Sequence, residues 1–188
     1  YFYNGKQINI IDRLSEILKA ISSIKDVVVT NYPGKRFLKY KKKFKGVKIT
    51  KYKELMKTSI KEIIYSNFDF EQELTILYSS GTTGKPKCIC HGVGGTLLQH
   101  NKELQIHSDV RENDRIFYFT TCGWMMWNWL VSGLLLKSTI YLYDGSPFFP
   151  NPEILWNYID NEKINFMGIS AKYIDALSKE NINIVDNY

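Results

Sequence analysis

The sequence predicts an α/β fold built mostly from parallel βαβ units, with a glycine-rich, hairpin-like loop between two of its strands. Segments with the two-residue period of a strand alternate with segments of helical period along most of the 188 residues. Hydrophobic residues make up 44% of the chain and aromatic residues 14%, which is a globular composition. A chain of this length can bury one sizeable core.

The first part of the chain predicts two helices and one strand. Apolar residues recur at helical spacing over Ile8–Ile21 and again over Lys51–Ser66. Between them, Asp26–Thr30 is a β-branched run that ends before Pro33. Such a run, bounded by turn residues, is typical of a buried strand.

Downstream of the loop, helices and strands alternate, which predicts parallel strands with right-handed crossovers. The predicted elements are helix Gly94–His107, strand Arg115–Thr120, helix Trp127–Leu136, strand Thr139–Tyr143, helix Pro152–Asn161, strand Asn165–Ile169 and helix Ala171–Lys179. Ligands of parallel sheets bind beyond the carboxyl ends of the strands. This rule places Thr120–Trp124, Asp144–Ser146 and Ile169–Ala171 on one rim.

Residues 77–87 read Leu-Tyr-Ser-Ser-Gly-Thr-Thr-Gly-Lys-Pro-Lys, between the extended segments Glu73–Tyr78 and Cys88–His91. Glycines let the backbone approach an anion, hydroxyls donate hydrogen bonds to phosphate oxygens, and lysines add positive charge. The spacing is not that of a Walker loop, because only two residues separate Gly81 from Gly84 and Pro86 follows the first lysine. We predict a polyphosphate-binding loop, with a ligand-free hairpin as the alternative.

The loop resembles the phosphate loop of the adenylate-forming acyl-CoA synthetase superfamily, which also contains luciferases and peptide-synthetase adenylation domains. Three further stretches resemble its acetoacetyl-CoA synthetase branch: His-Gly-Val-Gly-Gly-Thr-Leu-Leu-Gln-His from His91, Phe-Thr-Thr-Cys-Gly-Trp-Met-Met-Trp-Asn-Trp from Phe119, and Leu-Tyr-Asp-Gly-Ser-Pro from Leu142. The resemblance is weakest over Gly34–Glu62. It implies that residues 1–188 are part of a large N-terminal AMP-binding domain, with residues 35–53 a lysine-rich surface segment.

The resemblance further implies an internal fragment of a longer enzyme. The chain has no initiator Met, and the superfamily's adenine-binding and ribose-binding segments and its adenylation-promoting lysine have no counterpart in it. They are expected downstream of Tyr188, the lysine in a mobile C-terminal domain that packs on this one. The fragment alone is therefore expected to be inactive, and a non-catalytic nucleotide-binding module is one alternative function.

For the whole enzyme, the resemblance implies an AMP-forming acid–thiol ligase. Acetoacetate would attack the α-phosphate of ATP, giving an acyl-adenylate and pyrophosphate, and the thiol of CoA would then displace AMP. Another short- or medium-chain acid, such as acetate, propionate or butyrate, is the alternative substrate. Mg²⁺ would bridge phosphate oxygens, with a threonine hydroxyl as the nearest protein ligand.

The resemblance also assigns candidate site residues. Thr82, Thr83 and Lys85 are the candidate catalytic residues, and the full phosphate-binding set is Ser79, Ser80, Gly81, Thr82, Thr83, Gly84, Lys85 and Lys87. Trp124, Met125 and Met126 match the wall of the acyl pocket, where acetyl-CoA synthetases resemble Gly-Trp-Val-Thr; packing in the core at a helix start is the alternative. Ser170 matches a loop near the CoA channel, where many relatives carry Pro.

The net charge of +6 arises from one lysine-rich segment. Of the 25 Lys and Arg, ten lie in residues 35–53, which contain no Asp or Glu, so the rest of the chain carries 15 basic against 19 acidic residues. Aromatics interleave with these lysines, a pattern compatible with nucleic-acid binding or with a solvated surface segment. Because only four of the basic residues are Arg, which dominates base readout, we expect no nucleic-acid partner.

Three cysteines indicate a reducing compartment, and we predict a cytoplasmic protein. Cys88-Ile89-Cys90-His91 has no second pair of zinc ligands after it, so no protein metal site is expected. The apolar run Trp124–Leu136 is too short and too interrupted to span a membrane. His91 is expected to be a structural, hydrogen-bonded histidine, and the sequence predicts no partner for His100 or His107.

Overall fold

The structure, a computed structural model, describes residues 1–30, 44, 46–57, 62–79, 84–180, 182, 184 and 188. The chain divides into two compact units, Tyr1–Tyr65 and Ser66–Tyr188. Within these described ranges no helix is both long and apolar enough to cross a membrane.

The described residues of the first unit form two small sheets and two helices. Its elements are β1 (Phe2–Tyr3), β2 (Lys6–Gln7), α1 (Ile11–Ala20), β3 (Asp26–Val29), β4 (Lys48–Lys51) and α2 (Tyr52–Leu55). β1 and β2 pair antiparallel, and β3 and β4 pair in parallel with Val27 opposite Ile49. The predicted helix over Ile8–Ile21 is confirmed by α1.

Two predictions for this unit are wrong in part. β3 is a strand but not a buried one, because it pairs with β4 alone among the described strands and Val28 is 48% exposed. Of the helix predicted over Lys51–Ser66, only α2 is helical; Ile63 and Ile64 are exposed in irregular backbone, and residues 58–61 lie outside the described ones. A short amphipathic segment needs a surface to pack against before its apolar period produces a helix.

The second unit begins with a hairpin. β5 (Glu73–Tyr78) and β6 (Cys88–Gly92) pair antiparallel, with Tyr78 opposite Cys88 and Ile76 opposite Cys90. The extended segments predicted on both sides of the glycine-rich loop are therefore confirmed.

A three-stranded parallel sheet forms the centre of the second unit. Its elements are α3 (Val93–Lys102), which continues as a π-helical turn over Glu103–His107, β7 (Arg115–Tyr118), α4 (Met125–Ser132), which continues as a 3₁₀ turn over Gly133–Leu136, β8 (Thr139–Tyr141), α5 (Ile154–Glu162), β9 (Phe166–Gly168) and α6 (Ala171–Leu177). The strand order is β8-β7-β9, with β7 parallel to both neighbours. The predicted parallel βαβ architecture is confirmed.

The central strand β7 is buried on both faces. Ile116 and Phe117 are 0% and 1% exposed, and successive strand side chains point to opposite faces of a sheet. Ile116 belongs to a cluster with Leu104, Val110, Trp129 and Leu130, whereas Phe117 belongs to one with Leu155, Ile164, Tyr173 and Leu177. The strand therefore joins two separate cores, one packed against α4 and the other against α5 and α6.

Gly168, the last residue of β9, allows the Tyr118 ring at the end of β7 to lie close to the backbone of β9. Its carbonyl accepts a hydrogen bond from Phe119 N–H at 2.9 Å, and a Cβ atom at Gly168 would overlap the ring of Tyr118. The Tyr118 ring packs edge-on against Trp129, with centroids 6.0 Å apart. A side chain at this position would force the Tyr118 ring to shift, so the packing favours glycine here.

A buried histidine links α3 to α4. His100 is 6% exposed, and its Nδ1 lies 2.8 Å from Ser132 Oγ. The Ser132 hydroxyl donates to the Asn128 carbonyl at 3.0 Å, and because a hydroxyl has one proton, we assign to His100 the tautomer with the proton on Nδ1, which donates to Ser132. Burial, and to a smaller extent the nearby His91, lowers the pKa of His100 below its ordinary value.

We expect Gly168→Ala to lower the free energy of unfolding by about 1–3 kcal/mol, because the new methyl group must displace the Tyr118 ring from a packed core. Urea unfolding monitored by circular dichroism measures the change. Gly95→Ala is the matched control: its Cβ would meet no atom within 4 Å, and alanine favours the helix by about 0.5–1 kcal/mol. Equal stabilities of the two variants would contradict this packing.

The lowered pKa of His100 predicts that the protein loses stability in acid. Because its pKa in the folded protein is lower than the ordinary 6.5, the folded state prefers the neutral ring. The stabilisation from the neutral ring is fully present above the pKa that His100 has in the unfolded chain. It is lost as the pH falls through the pKa that His100 has in the folded protein. The drop in unfolding free energy between about pH 7.5 and about pH 5 should therefore be smaller in His100→Gln than in the original protein. An identical drop in both proteins would contradict the assignment of His100 as a buried histidine that is neutral in the folded protein.

Candidate functional site

Strand pairing brings the ends of the glycine-rich loop together. Ser79 N–H donates to the Lys87 carbonyl at 3.0 Å, and Lys87 N–H donates to Ser79 Oγ at 3.4 Å. Gly84 has φ +125°, a backbone conformation that L-amino acids with side chains rarely adopt. The loop is thus closed at its base by two hydrogen bonds and requires glycine near its end.

Four of the predicted phosphate-binding residues lie at the base of this loop: Ser79, Gly84, Lys85 and Lys87. The side chains of Lys85 and Lys87 are exposed, as anion-binding groups must be. The Ser79 hydroxyl accepts from Lys87 N–H, so its own proton remains available for an acceptor oxygen. The other four, Ser80, Gly81, Thr82 and Thr83, lie outside the described residues.

The prediction that the segments after three strands lie together at one edge of the sheet is confirmed. Because β7 runs parallel to β8 and β9, the segments that follow all three strands lie at one edge of the sheet. The rings of Phe119 and Tyr143 lie 6.2 Å apart, and Tyr143 Oη donates to the Ser146 carbonyl at 3.2 Å. Burial raises the pKa of Tyr143, which keeps its hydroxyl protonated as a donor.

The three residues assigned to the acyl pocket differ in burial. Trp124 is 64% exposed in extended backbone immediately before α4, and Met125 is 41% exposed. Met126 is half-buried against the core, while Trp129, one turn further on, is part of it. Core packing therefore explains Trp129 but leaves Trp124 and Met125 facing outward.

Met125 and Met126 line a cleft of about 510 Å³ between α3 and α4. Trp129 completes the α4 wall, and the end of β6 supplies His91 and Gly92. The α3 side is lined by Gly95, Thr96, Gln99, His100 and Glu103. The cleft is mostly apolar with a few convergent polar groups, which is the usual character of a small-molecule site. Trp124 is not among the residues that line it.

Sequence reasoning missed the histidines of this cleft. His91 and His100 both line it, whereas the sequence offered a structural role for the first and no partner for the second. His100 is hydrogen-bonded to Ser132, and His107 Nε2 lies 3.9 Å from Glu103 Oε1. One face of α3 and the turn that continues it carries four polar residues at helical spacing: Thr96, Gln99, His100 and Glu103. This spacing is the sequence pattern from which the polar wall of the cleft could have been predicted.

Ser170 has a structural role of its own. It is the N-cap of α6, and its Oγ accepts a hydrogen bond from Tyr173 N–H at 3.2 Å. Serine is a preferred N-cap residue, so helix capping accounts for this side chain without a ligand.

The cysteines form no metal site within the described ranges. Cys88, Cys90 and Cys122 are exposed free thiols, and no group of three or more His, Cys, Asp or Glu in the described parts of the chain could hold a metal ion. Cys88 and Cys90 occupy the same face of β6, opposite Tyr78 and Ile76.

Comparison with known proteins agrees with this architecture. Residues 6–185 match the family model described as "AMP-binding enzyme". The chain is 42% identical over 179 residues to an acetoacetyl-coenzyme A synthetase of Rhizobium meliloti (strain 1021), covering 95% of this chain and 27% of that protein. It is 40% identical over 182 residues to an acetoacetyl-CoA synthetase of Gallus gallus, covering 96% and 27%.

A solved structure shows the same fold. The acetoacetyl-CoA synthetase from Streptomyces lividans superimposes with a TM-score of 0.85 at 35% sequence identity, covering 100% of this chain and 28% of that one. The chain thus spans a little over a quarter of the length of the relatives that it matches. The predicted resemblance is confirmed: the chain belongs to the AMP-binding enzyme family.

Proposed function

We propose that this chain supplies the phosphate loop and part of the acyl site of an acetoacetate–CoA ligase. The observation that carries the proposal is the similarity of nearly the whole chain to proteins named acetoacetyl-CoA synthetase, at up to 42% identity. The closed hairpin with exposed lysines and the cleft lined by Met125 and Met126 support it.

In the first step, a carboxylate oxygen of acetoacetate attacks the α-phosphate of ATP, and pyrophosphate leaves. Negative charge grows on the leaving pyrophosphate, so donors fixed near it lower the barrier. Lys85 and Lys87 bring positive charge to the base of the loop, and the Ser79 proton is free to donate. We assign Thr82 and Thr83 to the same task through their hydroxyls.

Magnesium and CoA complete the proposed reaction. Hydroxyl oxygens are hard ligands that suit Mg²⁺, so Thr82 or Thr83 would supply the protein ligand; the ion would neutralise phosphate charge. CoA would then convert the bound acyl-adenylate to the thioester, with AMP as the leaving group. The loop at Ser170, which follows β9 at the same edge of the sheet as the segment before α4, is the proposed neighbour of CoA. We place the enzyme in the cytoplasm, with a C-terminal domain packing on this one.

The acyl group would occupy the cleft beside α4. Thioethers are flexible and polarisable, so Met125 and Met126 can adapt to a small acyl chain. Trp124, exposed before the helix, would form a flat wall at the entrance. A second candidate substrate is another short- or medium-chain acid, which the cleft's size and apolar lining favour.

The choice of acid can be measured directly. In ATP–pyrophosphate exchange by the whole protein, we expect kcat/KM for acetoacetate to exceed that for acetate and butyrate by roughly 10-fold or more, because a cleft with polar groups favours an acid that pairs with them. A clear preference for acetate or butyrate would replace the proposed substrate. No exchange with any acid would favour a nucleotide-binding protein without turnover.

The phosphate loop provides a second test. Lys85→Ala and Thr83→Ala should each lower the rate of adenylation by the whole protein by roughly 100-fold, because each removes a group that stabilises the leaving pyrophosphate. Lys179→Ala is the matched control, since Lys179 is an exposed lysine that follows α6, pairs with Asp175 at 2.9 Å and is not part of the loop. Unchanged rates in both loop variants would remove the loop from the mechanism.

A further inference from the structure

The cleft between α3 and α4 has one apolar wall and one polar wall. Met125, Met126 and Trp129 form the apolar side, and the polar side chains come from α3 and the end of β6. Such a cleft suits a ligand that is mostly hydrocarbon and carries one polar group. A carbonyl oxygen on that ligand would need a hydrogen-bond donor among the polar side chains of the cleft.

Gln99 and Glu103 are hydrogen-bonded to each other. Gln99 Nε2 donates to Glu103 Oε1 at 2.9 Å, and Lys102 Nζ lies 3.3 Å from the same oxygen. An ionised carboxylate only accepts hydrogen bonds. Glu103 therefore cannot donate to a carbonyl oxygen. Gln99 keeps a second amide proton, but its side chain is exposed, so water can pair with that proton when no ligand acceptor is present.

His100 is committed as well. In the tautomer assigned above, its Nδ1–H donates to Ser132, whose own proton goes to the Asn128 carbonyl. The neutral ring then has no proton on Nε2, which can only accept. Burial keeps the ring neutral by lowering its pKa. His100 thus fixes α4 against α3 but offers no donor to a carbonyl oxygen.

His91 retains a donor in every form. A neutral imidazole has one N–H whichever tautomer it adopts, and a charged one has two. The ring is half-buried and makes no hydrogen bond to any of the residues that the structure describes. In the hairpin, His91 lies opposite Thr75, on the face away from Cys88 and Cys90, at the point where β6 ends and α3 begins.

We infer that His91 donates a hydrogen bond to the 3-oxo oxygen of the acyl substrate and so selects a 3-oxo carboxylic acid over the saturated acid of the same length. The inference rests on the proposed function, which places the acyl chain in this cleft. A saturated chain in the same position would leave the N–H of His91 shielded from water and unpaired. A site built around such a donor discriminates against the ligand that lacks the acceptor.

The test compares acetoacetate with butyrate, which has the same chain length without the oxo group. In ATP–pyrophosphate exchange by the whole protein, His91→Phe should lower the ratio of kcat/KM for acetoacetate to that for butyrate by roughly 10- to 100-fold. The change should come mainly from KM for acetoacetate, with butyrate turnover retained. His91→Gln should keep most of the ratio, because its amide N–H lies near the position of the imidazole Nε2.

Two control variants isolate the effect. His107→Phe alters a histidine whose side chain is 56% exposed and does not line the cleft, so the ratio should not change. Thr96→Val tests the rival donor, because the Thr96 hydroxyl also lines the cleft; we expect it to lower the ratio less than His91→Phe does. Loss of the preference in Thr96→Val instead of His91→Phe would reassign the donor and overturn the inference.

The outcomes separate this inference from the proposed function. A wild-type protein that activates neither acid overturns both. A wild-type preference for acetoacetate that survives in His91→Phe, or equal losses for both acids in His91→Phe and His91→Gln, overturns the role of His91 alone.

Discussion

The two-sided burial of β7 is the constraint on which the second unit depends. Ile116 packs into one core and Phe117 into the other, while the backbone of the strand pairs with β8 on one edge and β9 on the other. Each face and each edge of the strand is thus occupied. Because all three strands point the same way, the chain leaves the sheet three times at one rim, and the segments with candidate chemistry gather there.

The cleft depends on a second, polar constraint between α3 and α4. The chain of hydrogen bonds from His100 through Ser132 to Asn128 fixes the two helices that form its walls. The same bonds decide which protons remain for a ligand, because a hydroxyl with one proton can donate only once. The packing of the two helices and the protons left for a ligand are therefore set by one group of atoms, and His91 is the donor that we propose for the ligand.

The glycine-rich loop is connected to the cleft between α3 and α4 through β6. Pairing of β5 with β6 closes the base of the loop at Ser79 and Lys87, and β6 then leads directly into α3, which forms a wall of the cleft. One continuous stretch of chain therefore contributes both the proposed phosphate-binding groups and His91. In a reaction that joins an acid to a phosphate, this arrangement would hold the two reactants close together.

The sequence by itself determined the family, the order of strands and helices in the second unit and the hairpin around the glycine-rich loop, because these follow from local composition and period. It misjudged the Lys51–Ser66 segment and the burial of β3, because a helical or β-branched pattern does not say what surface is available to cover it. Only the tertiary structure placed His100 against Ser132 and His91 in the cleft. Those relations join residues distant in the chain, and the free protons they leave depend on three-dimensional contacts that no local pattern encodes.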